Sequence, residues 1–158
     1  MKKLLITLLM FVLTIGVNAQ YLKTEKQSRI PESVKVIILY TGAIVLDAVG
    51  DGLCDDGNKA WGHALNAASV GILVASPFIL DIQKDKWYWY LLSYVSLRVA
   101  LFDPVYNLTR GLPIDYIGDN SIWDKGMQEF NPPRNAQLWG RSVFLVVGLT
   151  IPLREIGR

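Results

Sequence analysis

A single cysteine, Cys54, and a single histidine, His63, are all the thiol and imidazole that this 158-residue chain possesses. One cysteine excludes an internal disulfide and any zinc site built from several cysteines, leaving only an intermolecular disulfide open. One histidine excludes an H-E-x-x-H site, and neither a Gly-rich phosphate loop nor a Ser-His-Asp order is present. Charge is scarce too: 19% of the residues are charged, against about 25% in soluble domains. The net charge is +2. That is too small, and the basic residues are too scattered, for a nucleic-acid footprint. No internal repeat or low-complexity tract interrupts the chain.

Hydrophobic residues fill the space that charge leaves, at 51% of the chain. The first 19 residues read as a secretory signal. Lys2 and Lys3 form its charged start, "LLITLLMFVLTIG" its apolar run, and Val17, Asn18 and Ala19 its cleavage site. No cysteine lies at that point, so it is not a lipoprotein signal; the alternative is an uncleaved first span. Residues 20–33 form a polar, basic linker in which Pro31 and Ser33 mark a helix start.

Four apolar segments follow, over 34–49, 62–82, 87–102 and 138–153. A bilayer span needs about 20 residues, and only the second segment reaches that comfortably. The runs are apolar nearly all round, as in helices that are buried or face lipid. Ala64, Ala67, Ala68, Gly71 and Ala75 give the second segment small residues that let helices approach closely. "WYWY" at the start of the third suits an aromatic belt, and Pro77 and Pro152 kink or end their helices. Residues 103–137 form a polar connection too long to be structureless. Ser121 and Asp124 start a short surface helix within it, over 121–130. The predicted fold is all-α: one domain, 34–158, holding a small bundle of about four apolar, transmembrane helices and a structured polar loop.

Orientation is contested within the sequence. With a cleaved signal and four spans, the termini and the loop holding Lys84 and Lys86 share the outer side with most of the Lys and Arg. The positive-inside rule prefers the reverse. A first segment that does not cross, an uncleaved signal and a soluble periplasmic bundle are the three escapes.

The polar chemistry concentrates in "DAVGDGLCDDGNKAWGHALNA", from Asp47 onward. Read as a calcium loop from Asp47, the stretch puts Asp51 at position 5, Gly52 at 6, Asp55 at 9 and Asn58 at 12. Position 3 is Val49, and the bidentate Glu is missing. Asp47, Asp51 and Asp55 are therefore an incomplete cation site, and a divalent cation is the only cofactor the chain suggests. Otherwise the stretch is a turn loosened by Gly50, Gly52 and Gly57, with Asp55, Asp56 and Asn58 capping the next helix. His63 and Asn66 share one face of that helix. "NKAWGHALNAASVG" resembles the lysine-and-histidine helix start of VanZ-like membrane proteins and of a related group of small periplasmic lipoproteins. Lys59 and His63 carry the match, and Asn58 stands where that family commonly has Asp.

Arg98 lies inside the third apolar segment and needs an acidic partner; Asp47 is the leading candidate. Asp103 is more than one turn away and is open to Arg110 or Arg141. Two classes of function stay open. One is an accessory or structural membrane component held by buried ion pairs. The other is a membrane-embedded enzyme or binder for a lipid-linked or anionic substrate. In that case His63, Asp47 and Asp51 would be catalytic, and Arg98, Asp103, Asn107 and Arg110 would hold the substrate. Expected partners are the membrane and other membrane proteins, not nucleic acid. The expected location is a bacterial cell envelope, in the inner membrane or else the periplasm. Cleavage after Ala19 is testable by intact mass: the mature protein should begin at Gln20, and a mass that retains residues 1–19 would remove the secretory reading.

Overall fold

The computed structural model describes residues 30–80, 82, 85–118, 125–126, 128–129 and 133–156. The expected signal peptide and most of the linker lie outside them. The chain divides into two units, 1–31 and 32–158, and the second carries every described helix. These are α1 (Glu32–Asp55), α2 (Lys59–Ile79), α3 (Trp87–Thr109) and α4 (Arg134–Ile151); a π-helical turn, Pro152–Ile156, closes the chain. There is no strand among the described residues. The all-α bundle read from the sequence is the observed fold.

The segment α1 is the central and most buried helix. Both α2 and α3 pack on it, α4 packs on α3, and α2 and α3 scarcely touch each other. Val36, Tyr40, Ile44, Leu80, Tyr90, Leu97 and Ile156 form the core. Partner residues on α1 and α3 keep a constant separation of 51 positions, as in Asp47 with Arg98 and Asp55 with Tyr106, so these two helices run parallel. The helices α2 and α4 run against them. One end of the bundle therefore gathers the end of α1, the start of α2, the end of α3 and the start of α4. We call it the polar end.

Three elements are long and apolar enough to cross a membrane: α1, α2, and α4 with its π-helical turn, Arg134–Ile156. The exception is α3, which carries Arg98 and Asp103 in mid-length. Large apolar side chains face outward along α2 (Val70, Val74, Phe78), α3 (Leu91, Leu92, Val95) and α4 (Val143, Val146, Val147).

Two helices run well past the ends read from the sequence. The first helix does not stop at 49 but continues through Gly50 and Gly52 to Asp55. Those glycines are not turn residues. A Cβ on Gly50 would lie 1.8 Å from Asn66 Oδ1 and 2.9 Å from the Gly62 carbonyl; on Gly62 it would lie 2.3 Å from Cys54 Sγ. Gly50 and Gly62 are where α1 and α2 touch backbone to backbone, while a Cβ on Gly52 would lie 2.9 Å from Thr109 of α3. Only Gly57, at φ 86°, serves the turn. The third helix likewise runs seven residues past 102, through Pro104. Pro104 cannot donate to the preceding turn, but Asn107 and Thr109 hold the helix beyond it. The Asn107 amide donates to the Tyr116 carbonyl at 2.9 Å, and Thr109 Oγ1 donates to the Val105 carbonyl at 2.8 Å. Gly111, at φ 71°, then ends the helix in left-handed backbone. Of the expected surface helix over 121–130, Lys125, Gly126, Gln128 and Glu129 are helical and the other positions lie outside the described residues.

The small residues also sort differently. Gly62 and Ser69 meet α1, whereas Ala64, Ala67, Ala68 and Gly71 face outward. Hydroxyls join the helices: Ser69 Oγ donates to the Ala43 carbonyl and Ser93 Oγ to the Gly148 carbonyl, each at 2.8 Å. Such bonds are worth about 0.6 kcal/mol each in membrane bundles. Gly62→Ala should lower stability by about 1–3 kcal/mol through overpacking. Gly71→Ala, with nothing within 4 Å of the new Cβ, should be neutral or gain up to about 1 kcal/mol. Thermal melting of both variants in detergent checks the pair.

Candidate functional site

Most of the candidate residues meet at the polar end, on two matched stripes. On α1, Asp47, Asp51 and Asp55 recur every fourth residue and so share a face. On α3, Arg98, Phe102, Tyr106 and Arg110 recur at the same spacing, the last just past the helix end. Because α1 and α3 are parallel, the two stripes lie in register.

Arg98 Nη1 donates to Asp47 Oδ2 at 2.5 Å, so the expected partner is the observed one. The Arg98 guanidinium lies 4.4 Å from the Phe102 ring centroid, a cation–π contact that shields one face of the charge. Phe102 stacks on Tyr106 at 6.3 Å and 9° between planes. The Tyr106 hydroxyl donates to Asp55 and accepts from Arg110 Nη1 at 2.9 Å. Arg110 also reaches Asp55 at 3.7 Å and Asp56 at 3.8 Å. The Tyr106 hydrogen bond, more than any charge, raises the Arg110 pKa above its ordinary value, so this cation is permanent.

Asp51 turns the other way, toward α2, where it accepts from Asn66 Nδ2 at 2.7 Å. The other amide atom, Asn66 Oδ1, is buried against Gly50 with no hydrogen-bond partner. His63 does not join the carboxylates: its Nδ1 lies 3.9 Å from Cys54 Sγ. Cys54 sits in the last turn of α1, where no residue is basic, beside Asp51, Asp55 and Asp56.

Asp103 pairs with Arg141 Nη2 at 2.9 Å and ties α3 to α4. Asp115 pairs with Arg134 at 2.9 Å and ties the loop to the start of α4. Asn107 is buried and spends its amide on the loop carbonyl of Tyr116. The caps expected for α2 are not formed. Asn58 holds the N-cap position without a side-chain cap bond, and Asp55 and Asp56 face Arg110 because the extended α1 carries them to α3.

Each residue named from the sequence thus has a local partner: Asp47 with Arg98, Asp51 with Asn66, His63 with Cys54, Asp103 with Arg141, and Arg110 with Tyr106, Asp55 and Asp56. The three candidate metal ligands, Asp47, Asp51 and Asp55, are engaged separately. Among the described residues no group of three or more His, Cys, Asp and Glu side chains could hold a metal ion. The sequence reading missed Phe102 and Tyr106 as links between Arg98 and Arg110. The signal was present, since every-fourth spacing continues past residue 102. Comparison with known proteins finds no matching family model, curated protein or solved structure.

Asp47 and Arg98 keep 22% and 39% of their side-chain surface exposed. Breaking the pair should therefore cost less than the ~3–5 kcal/mol of a fully buried one. Arg98→Met and Asp47→Leu should each destabilise by about 1–3 kcal/mol, and the double variant should recover most of the loss. Thermal melting of the four proteins gives the coupling. Strictly additive losses would separate the two residues energetically.

Proposed function

We propose that the chain is a small integral membrane protein with an accessory or structural role, its helices held together by ion pairs. One observation carries the reading. The acids, bases and anion-holders named from the sequence are engaged with partners, mostly on neighbouring elements, instead of converging on a shared point. Sites that perform chemistry aim several groups at one reacting position. Here Asp47 with Arg98, Asp103 with Arg141 and Asp55 with Arg110 fasten α1 to α3 and α3 to α4. Within a membrane such pairs specify which helices pack together and in what register.

The outward rows of Val, Leu and Phe support a membrane setting. Soluble monomers rarely expose contiguous apolar faces of this extent. The secretory start favours the cell envelope, with the inner membrane as the site and other membrane proteins as partners. The second reading, an embedded enzyme or binder for a lipid-linked or anionic substrate, has one observation in its favour: Arg98 is paired but not covered.

Complementation separates the two. In a strain lacking the protein, the double variant Asp47→Leu/Arg98→Met should restore the wild-type phenotype to the extent that it restores the melting temperature. A double variant as stable as wild type that fails to complement would assign Asp47 and Arg98 to a site and overturn the structural reading.

A further inference from the structure

We infer that α1, α2 and α3 border a water-filled blind cleft that opens at the polar end, reaches about half-way along the bundle and favours small hydrophilic cations. The inference rests on the membrane-spanning reading above and goes beyond it.

The first observation is depth. Arg98 lies about three turns before the end of α3, or ~16 Å at 1.5 Å per residue, and Asp47 about two turns before the end of α1, or ~12 Å. Half of a hydrocarbon core is ~15 Å. Charges at that level either are enclosed by protein or line a water-filled cavity. This pair is not enclosed, and its exposure is not isolated. At the polar end Asp55 and Arg110 keep 49% and 32% of their side-chain surface. Further in, Asp47 and Arg98 are still partly open, and Asp51, Phe102 and Tyr106 between them are half-buried.

The second observation is shape. Both α2 and α3 rest on α1 and scarcely touch each other. The carboxylate stripe of α1 reaches to both sides, Asp51 to α2 and Asp47 and Asp55 to α3. That stripe is the floor of the gap between them. Beyond Arg98 the polar stripe gives way to packed apolar side chains: Tyr40 of α1 meets Tyr94 of α3 edge to face at 5.4 Å, Tyr40, Ala43, Ile44 and Leu97 are buried, and Leu73 of α2 packs against the same cluster. This apolar layer forms the blind end.

The third is charge. Asp47, Asp51, Asp55 and Asp56 outnumber Arg98 and Arg110 along the walls. A narrow cleft with low-dielectric walls concentrates counter-ions by a factor of about 10 or more, which here selects cations over anions.

The test uses full-length protein in a Cys54→Ser background, in sealed membrane vesicles of both orientations. Single cysteines are labelled with two membrane-impermeant methanethiosulfonates, one bearing trimethylammonium and one sulfonate. Phe102→Cys should react from one side only, at least about tenfold faster with the cationic reagent. Val70→Cys and Val143→Cys, outward-facing on α2 and α4, should react far more slowly. Asp51→Cys provides the same measurement should Phe102→Cys not fold. Cleft positions no faster than Val70→Cys would overturn the cleft alone. Equal reaction from both sides would overturn its blind end, and a faster anionic reagent its cation preference. Fast labelling at Val70 and Val143 as well would overturn the membrane setting and the cleft together.

Discussion

Arg98 cannot shed its proton, so an apolar helix that carries it in mid-length must bring it to an anion. Asp47 is that anion, at 2.5 Å, and the demand propagates. Once Asp47 and Arg98 are paired, parallel packing puts Asp55 beside Tyr106 and Arg110 two turns on. A one-residue slip of α3 along α1 would break all of these contacts at once. The seam is thereby fixed in register by polar contacts, whereas apolar packing between such uniformly hydrophobic helices would tolerate slippage.

Close packing and charge act on different sides of α1. Toward α2 the contact is made of absence: Gly50 and Gly62 leave no room for a Cβ, and the Asn66 amide fits against the bare backbone. Toward α3 it is made of bulk and charge, with Tyr40 edge-on to Tyr94 and Asp47 on Arg98. This division lets the central helix be buried on both sides while the acidic stripe between them stays partly open. The helix α4 is held on α3 by Gly148 against Leu97, the hydroxyl of Ser93 and the pair of Asp103 and Arg141.

The two ends of the bundle differ in kind. At the polar end the ion pairs join separate elements: α1 to α3, α3 to α4 and the loop to α4. At the other end, the described pairs are local, Glu32 with Lys35 and Arg154 with Glu155, and so fasten no helix to another. Apolar contacts take over there: the π-helical turn lays Pro152 and Ile156 into the core beside Val36 and Tyr40. The bundle thus keeps its specificity at one end and its hydrophobic closure at the other.

By itself the sequence determined the class and the central pair. Four long apolar runs cannot be satisfied by anything but helices packed on each other or on lipid. Arg98, in mid-run of the third, with Asp47 distant in sequence and short of a local cation, left little choice of partner. The helix ends were not legible, because tertiary contacts overrode local signals. Gly50 and Gly52 carry turn chemistry, yet α2 and α3 press on them and keep them helical. Asp103 and Pro104 mark a helix end by propensity, yet Asn107, Tyr106 and Arg110 draw the chain on through their partners. The fate of each polar side chain was likewise a tertiary decision. Asp51 and Asp55 look equivalent on α1, and only the placement of α2 and α3 on either side sends one to Asn66 and the other to Tyr106.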